Sequence, residues 1–295
     1  DNKDGLEGPK DDGSVEVKPG HDATVTRPDP DPTKPDTKED VKVPAGTVIL
    51  PDGTIKLPDN TEIKPGDKIP ETTTAYVTVT FEAGNGTGST IKQIVNKNSK
   101  INLLDESAFT APDNHFFVGW KDADDTSYDA GAEYEVGTAA VTFTAQYQDR
   151  DNLTKAVAIF DYAGGTDVNG NGSKYVTGKA DAAITGITDP TRTGYTFKFW
   201  SREGQNGDVT GQTVNGWTNL YAVWEKNIYT VTYTDGVNGE AFADQVHNVP
   251  FEDATPAFDG TPARAGYKFL GWEPTVAETV TENATYVAQW EKLYT

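Results

Sequence analysis

Short runs of alternating apolar and polar residues recur along the chain at nearly regular intervals. The clearest are AYVTVTF at 75–81, TKAVAIF at 154–160 and IYTVTY at 228–233. Alternation of this kind is typical of a half-buried β-strand, because successive side chains point to opposite faces of a sheet. The pattern predicts an opening strand in each of three segments.

Aromatic residues hold the same spacing in all three segments. A Trp follows the opening aromatic residue after 39 or 40 positions, in the pairs Phe81 and Trp120, Phe160 and Trp200, and Tyr233 and Trp272. Each segment then closes on an alternating strand that ends in Tyr147, Trp224 or Trp290. A repeat of this length indicates tandem domains rather than one catalytic domain.

The repeated aromatic residues are predicted to form the cores of these small domains, since aromatic side chains bury large areas. The predicted core consists of Phe81, Trp120, Phe160, Trp200, Trp224, Tyr233, Trp272 and Trp290. Strand alternation places Tyr195, Phe197 and Phe199 on one face, so Trp200 points away from them unless a bulge turns it inward. A carbohydrate-binding platform is the alternative to a core.

Two segments of different character precede the repeats. Residues 1–40 hold twelve acidic and six basic residues with six prolines, and predict an extended or disordered linker. Over 41–74, Pro recurs every seven residues in copies such as PDGTIKL, which predict a turn and a short strand each. This segment is either a small β meander or roll that leans on the next domain, or a semi-rigid stalk.

The composition narrows the class of protein. The net charge of −21 opposes nucleic-acid binding, and no apolar run reaches the length of a membrane span. Cysteine and methionine are absent, so disulfides and thiolate metal sites are excluded. Absent cysteine is common among secreted proteins of Gram-positive bacteria, and the missing Met suggests a processed piece.

One turn has the spacing of a calcium loop. Asp167, Asn169 and Asn171 in DVNGNGS could supply oxygen ligands, but position twelve is Gly178 rather than a bidentate Glu. A turn rich in Asn and Gly is the simpler interpretation. No cofactor is predicted beyond this calcium candidate, and no catalytic motif occurs, so we expect no enzymatic activity.

The phrases GYKFLGW at 266–272 and TYVAQW at 285–290, with the opening strand, resemble the internalin-type B repeat, also called the Listeria–Bacteroides repeat. The resemblance covers about 75–292 and divides it into repeats at 75–149, 150–226 and 227–292, with 293–295 beginning a further one. It implies a mostly-β, β-grasp-like fold around a short helical segment, which the sequence would place over INLLDESAF at 101–109. It also implies occurrence on secreted and wall-anchored bacterial proteins and brings no catalytic residues.

Three functions follow as hypotheses. The favoured one is a non-catalytic stalk or spacer on the bacterial cell surface, an elongated monomer that also serves adhesion. The second is a module that binds a host protein or glycan, for which exposed aromatic residues outside the repeat pattern are the candidates: Trp217 first, then Tyr128, Tyr175 and Phe242. The third is an accessory region of a large secreted enzyme.

Overall fold

A computed structural model describes residues 5–178, 182–183, 187–202, 207–237 and 240–294 of the 295-residue chain. Within these ranges the chain forms 24 β-strands, a 3-10 turn at Arg150–Asn152 and no α-helix. The prediction of a mostly-β protein with tandem repeats is therefore confirmed.

The strands fall into an N-terminal module and the three repeats. The module contains β1 (Leu6–Glu7), β2 (Val15–Val17), β3 (Ala23–Pro28), β4 (Lys38–Val43), β5 (Val48–Ile49), β6 (Ile55–Lys56) and β7 (Glu62–Ile63). The first repeat contains β8 (Tyr76–Glu82), β9 (Thr90–Asn96), β10 (Lys100–Asn102), β11 (His115–Lys121), β12 (Ser127–Tyr128), β13 (Glu133–Glu135) and β14 (Val141–Asp149).

The second and third repeats contain fewer strands in the described part of the chain. The second contains β15 (Ala156–Asp161), β16 (Ser173–Gly178), β17 (Ala182–Ala183), β18 (Tyr195–Arg202), β19 (Thr213–Val214) and β20 (Trp217–Lys226). The third contains β21 (Ile228–Thr234), β22 (Gln245–Pro250), β23 (Tyr267–Glu273) and β24 (Ala284–Lys292). The chain divides into two compact units, one of residues 1–158, 175–184 and 212–218 and the other of 159–174, 185–211 and 219–295, so the second repeat contributes to both.

The opening and closing strands of a repeat lie side by side and parallel at the centre of a mixed sheet. In the third repeat the strand order is β22-β21-β24-β23, and Tyr233 stands beside Tyr286 in the parallel pair. The first repeat places Phe81 beside Phe143 in the same way. The second has the corresponding order β16-β15-β20-β18. This order agrees with a β-grasp-like sheet.

The predicted helix over 101–109 is wrong. Lys100–Asn102 instead pairs with Glu133–Glu135 in antiparallel register, so the backbone groups of this segment are satisfied by another strand. After it, the carboxylate of Asp105 accepts the backbone N–H of Ser107 at 2.9 Å, which favours a turn over a helix.

A β-bulge turns the repeated Trp into the core of each repeat. The register shifts between Phe117 and Gly119, between Phe197 and Phe199, and between Phe269 and Gly271. The extra residue returns each Trp to the face of the preceding aromatic residue, with Phe–Trp ring centroids 5.0, 5.2 and 5.2 Å apart. The predicted bulge is confirmed, whereas the expectation that Phe199 shares the face of Phe197 is wrong.

The predicted core residues lie where this geometry directs them. Five are buried, namely Phe81, Trp120, Phe160, Trp200 and Tyr233. Trp224, Trp272 and Trp290 are half-buried. Trp224 Nε1 and Trp290 Nε1 donate to the carbonyl oxygens of Tyr162 and Asp235 at 2.9 and 2.8 Å, which satisfies the one polar atom that each indole carries inward.

The prediction of a linker over 1–40 is wrong for the described residues 5–40. The segment DDGSVEV at 11–17 is a further copy of the period-seven unit, since Asp12 accepts the Ser14 N–H at 2.9 Å just as Asp52 accepts the Thr54 N–H at 2.8 Å. These copies form one antiparallel sheet in the order β1-β2-β5-β6-β7. The period-seven segment is thus an ordered β meander rather than a free stalk.

The insert between the first two copies extends the sheet of the first repeat. Strands β3 and β4 form a hairpin, and β4 pairs in parallel with β9 from Glu39 beside Thr90 to Lys42 beside Gln93. The resulting sheet has seven strands in the order β12-β11-β14-β8-β9-β4-β3. The hairpin therefore covers β9, whose unpaired backbone groups would otherwise form an open edge.

Apolar and polar contacts attach this module to the first repeat. Val17, Ile55 and Leu57 share one buried cluster with Tyr76 and Ile94 of the repeat. The carboxylate of Asp59 in turn accepts hydrogen bonds from Thr61, Thr73 and Ala75. Partial burial opposes its ionisation, but these hydrogen bonds prevail and lower the pKa of Asp59 to about 2.

Candidate functional site

Outside the cores, the contacts between successive repeats combine specific hydrogen bonds with aromatic packing. In the first joint, strand β16 of the second repeat lies against β11 of the first. Thr177 Oγ1 donates to the carbonyl oxygen of Phe117 at 2.6 Å, and the N–H of Phe117 donates to the Tyr175 hydroxyl at 3.3 Å. The Tyr175 ring also packs on Phe116 with centroids 5.3 Å apart. Burial at this joint raises the pKa of Tyr175 to about 12.

Arg150 and Trp217 lie at the same joint. The Arg150 guanidinium carbon stands 5.0 Å from the centroid of Phe116 and 5.5 Å from that of Trp217, so both contacts fall within cation–π range. The Trp217 side chain nevertheless remains 40% exposed. Of the four aromatic candidates, it is the one that belongs to the exposed large apolar residues of the described chain.

The other three aromatic candidates have packing partners within the fold. The Tyr128 hydroxyl donates to Asp122 at 3.0 Å, and its ring contacts Tyr134 and Phe143. Phe242 packs on Phe258 at 4.9 Å. Tyr175 is the residue already placed in the first joint.

The second joint is built around Asn227, in the short connector between the second and third repeats. Its N–H donates to the carbonyl oxygen of Gly194 at 2.9 Å, and its own carbonyl oxygen accepts the N–H of Phe251 at 2.9 Å. Its side-chain oxygen accepts Thr196 Oγ1 at 2.6 Å. One residue thus bonds to both repeats, which restricts the connector.

Phe251 fills a small depression on the second repeat. A Cβ added at Gly194 would lie 2.2 Å from its ring, and the φ of 77° at Gly194 also favours glycine. The ring stands 5.7 Å from that of Tyr195. Beside it, Lys226 Nζ and Asp253 Oδ1 are 2.7 Å apart, and this hydrogen bond raises the pKa of Lys226.

The candidate calcium loop uses its carboxylate internally. Asp167 Oδ1 accepts the N–H groups of Asn169 and Asn171 at 2.8 and 2.9 Å, and its Oδ2 accepts the Asn171 side chain at 3.0 Å. Hydrogen bonds from Asn171 are the main cause of the lowered pKa of Asp167. Among the residues described, no three His, Cys, Asp or Glu side chains are grouped to hold a metal ion. Calcium binding by Asp167, Asn169 and Asn171 stays a prediction.

Sequence reasoning named Tyr175 and Trp217, which lie in the first joint, but it missed Arg150, Asn227 and Phe251. Phe251 lies outside the repeated aromatic pattern, so the criterion that selected Trp217 could have found it. Arg150 and Asn227 have no comparable signal, because their roles depend on partners that only the folded chain brings close.

The chain belongs to the Listeria-Bacteroides repeat domain family, which matches residues 78–146, 158–223 and 229–292. It is also similar to two proteins of Evansella cellulosilytica. One, provisionally named a Gly-rich membrane protein, is 28% identical over 209 residues, which cover 65% of this chain and 22% of that protein. The other, provisionally named a membrane protein, is 26% identical over 225 residues, covering 72% and 31%.

The chain therefore spans less than a third of the length of either relative. Within the ranges given above, no helix has the length and apolar character needed to cross a bilayer.

Proposed function

We propose that this chain is a non-catalytic stalk or spacer region of a secreted or wall-anchored bacterial surface protein. The observation that carries the proposal is the second joint, where Asn227, the single residue between β20 and β21, is hydrogen-bonded to both repeats. Such a joint restricts motion between neighbouring repeats, as a spacer under load requires. The membrane-protein names of the two relatives support a surface location.

Small-angle X-ray scattering tests the spacer function. A compact domain of 295 residues would have a radius of gyration of about 19 Å. We expect a clearly larger value and a monomeric mass, because neighbouring repeats in an array contact one another end to end. The Phe251→Ala variant should broaden the distance distribution, whereas Leu270→Ala, at a residue 58% exposed, should not. A radius of gyration of about 19 Å, as for a compact particle, would contradict the proposal.

A second candidate function is binding of a host protein or glycan. It is favoured by one observation, the partly exposed Trp217 held against Arg150. An indole face of this kind stacks on a sugar ring or anchors a protein interface. The joint would then both connect two repeats and carry a ligand.

Binding of the full chain to arrayed matrix proteins and glycans separates the two functions. For a ligand site at the joint, we expect a specific signal that Trp217→Ala reduces at least about tenfold, as for an interface anchor. Leu270→Ala is the matched control, because it removes an exposed apolar side chain elsewhere. A uniform lack of binding favours the spacer alone.

An accessory role in a large secreted enzyme is a variant of the spacer function. The chain would then position a catalytic domain located elsewhere in the parent protein, and would itself remain without activity.

A further inference from the structure

The third repeat presents a second copy of the depression that receives Phe251. We define the socket of the second repeat as Arg192, Gly194, Tyr195 and Lys226. The same four residue types recur in the third repeat as Arg264, Gly266, Tyr267 and Lys292. The first repeat differs, since Asn114 and His115 stand where the sockets have Gly and Tyr.

The two sockets agree in geometry. Arg192 lies 3.8 Å from the Tyr195 ring centroid, and Arg264 lies 3.7 Å from that of Tyr267. The φ angles of Gly194 and Gly266 are 77° and 78°.

The backbone that follows each closing strand is also held alike. The N–H of Asn227 donates to Gly194 at 2.9 Å, and the N–H of Leu293 donates to Gly266 at 2.9 Å. The chain therefore leaves both sockets with the same hydrogen bond to the socket glycine. Leu293 occupies the position in the third repeat that Asn227, which leads into the third repeat, occupies after the second.

Of these two sockets, the one in the second repeat is filled and the one in the third repeat is open. A Cβ at Gly194 would collide with the Phe251 ring, whereas no described atom lies within 4 Å of a Cβ added at Gly266. Next to the open socket, Leu293 and Tyr294 are 53% and 91% exposed. These are two of the largest exposed apolar side chains in the described chain, and both follow directly on Lys292.

The filled socket defines the chemistry of an occupant. Gly194 leaves room for an aromatic ring, Tyr195 offers an edge-on contact to it, and Lys226 pairs with the carboxylate of Asp253. Both partners, the Phe251 ring and the Asp253 carboxylate, belong to the turn Phe251–Asp253, which bonds to Val280 within its own repeat. An occupant of the open socket needs the same aromatic ring and acid, presented by a folded turn.

We propose that the socket of the third repeat binds a further repeat of this family through an aromatic and acidic turn like Phe251–Asp253. The aromatic ring lies over Gly266 against Tyr267, and the acid pairs with Lys292. The proposal rests on the spacer function and adds its partner. The third repeat then carries a turn at one end and a socket at the other, a head-to-tail contact that continues without closing.

A second copy of this chain does not satisfy the proposal with its own turn. Its Phe251 is already seated on its own Gly194 and is buried there. The turn has to come from a repeat whose aromatic residue is free, and a dimer joined at this socket would be a different result.

The test extends the full chain after Lys292 with a second copy of residues 227–292. The chain lacks cysteine, so a bis-maleimide can join one engineered pair. In the extended chain, the test pair is Lys292→Cys and a Cys at the extension's counterpart of Asp253. In the unextended chain, the matched reference pair is Lys226→Cys and Asp253→Cys. We expect intramolecular crosslinking at both joints, with rates that agree within a factor of about two, as equal contacts would give.

Removing the aromatic ring shows whether the socket holds the extension. Phe→Ala at the extension's counterpart of Phe251 should slow its crosslinking about fivefold, and Phe251→Ala should slow the reference equally. The proposal would be overturned if crosslinking of the extension is slow and its rate does not change with the Phe→Ala substitution. Crosslinked dimers would also overturn it.

An extension that hydrogen exchange shows to be unfolded would also overturn it, because the same sequence folds next to the matching socket. If the reference pair also fails to react, the joint itself is absent and the spacer function fails with it. If the reference pair reacts and the extension pair does not, the proposal fails but the spacer function stays intact.

Discussion

Replacing Trp120 by Ala should lower the free energy of unfolding of the first repeat by about 3–5 kcal/mol, the range for a large aromatic residue removed from a core. Trp120 is fully buried and contacts the rings of Phe81, Phe109 and Phe117. Its Nε1 also donates to the carbonyl oxygen of Leu104 at 2.8 Å. The substitution thus leaves a cavity and removes the shorter of the two hydrogen bonds to the Leu104 carbonyl oxygen, the other being the Gly131 N–H at 3.4 Å.

Hydrogen exchange measures this loss within the first repeat, because peptides from β8 and β14 report its opening separately from the other repeats. Trp217→Ala is the matched control. The same substitution at a 40% exposed residue should cost about 1 kcal/mol or less. Equal losses at both positions would show that the bulge does not place Trp120 in the core.

Glu39→Gln should destabilise the attachment of the N-terminal hairpin to the first repeat by about 3 kcal/mol. Glu39 is fully buried, and its two oxygens lie 3.2 Å from Arg27 Nε and 2.9 Å from Lys92 Nζ. Removing its charge leaves two cations near one another, with Arg27 9% and Lys92 20% exposed. The partial exposure of Lys92 places the expected loss at the lower end of the range for broken buried pairs.

Exchange in β3, β4 and β9 should accelerate in this variant, while β21 and β24 should be unaffected. Glu133→Gln provides the control, since its partner Lys100 and Glu133 are both 63% exposed, and we expect a loss below about 1 kcal/mol. Protection that Glu39→Gln leaves unchanged would mean that the hairpin is held by its strand pairing alone.

Local interactions made much of the fold predictable. Alternation over 75–81 and 228–233 identified opening strands, and the Gly before Trp120 and Trp272 pointed to the bulge. The period-seven prolines located turns that an Asp or Gly one or two residues further on completes. Each of these signals depends on residues within about one strand or turn of each other, so the sequence contains both partners.

Other features have partners far apart in the sequence. The strand that covers β9 lies some fifty residues before it, and composition alone made that segment resemble a linker. Asp and Pro are abundant in 1–40 because its turns use them, and disorder has the same signature. The local preference of this segment for a strand is weak, and parallel pairing with β9 stabilises the strand that it forms.

The sequence by itself determined the family, the number of repeats and the aromatic core, because these follow from residue spacing within each repeat. The tertiary structure alone decided which residues join the repeats. Phe251 meets Gly194 across more than fifty positions, and Glu39 meets Lys92 in the same way. Such contacts depend on how folded surfaces match in shape and charge, and no periodic pattern in the chain records that match.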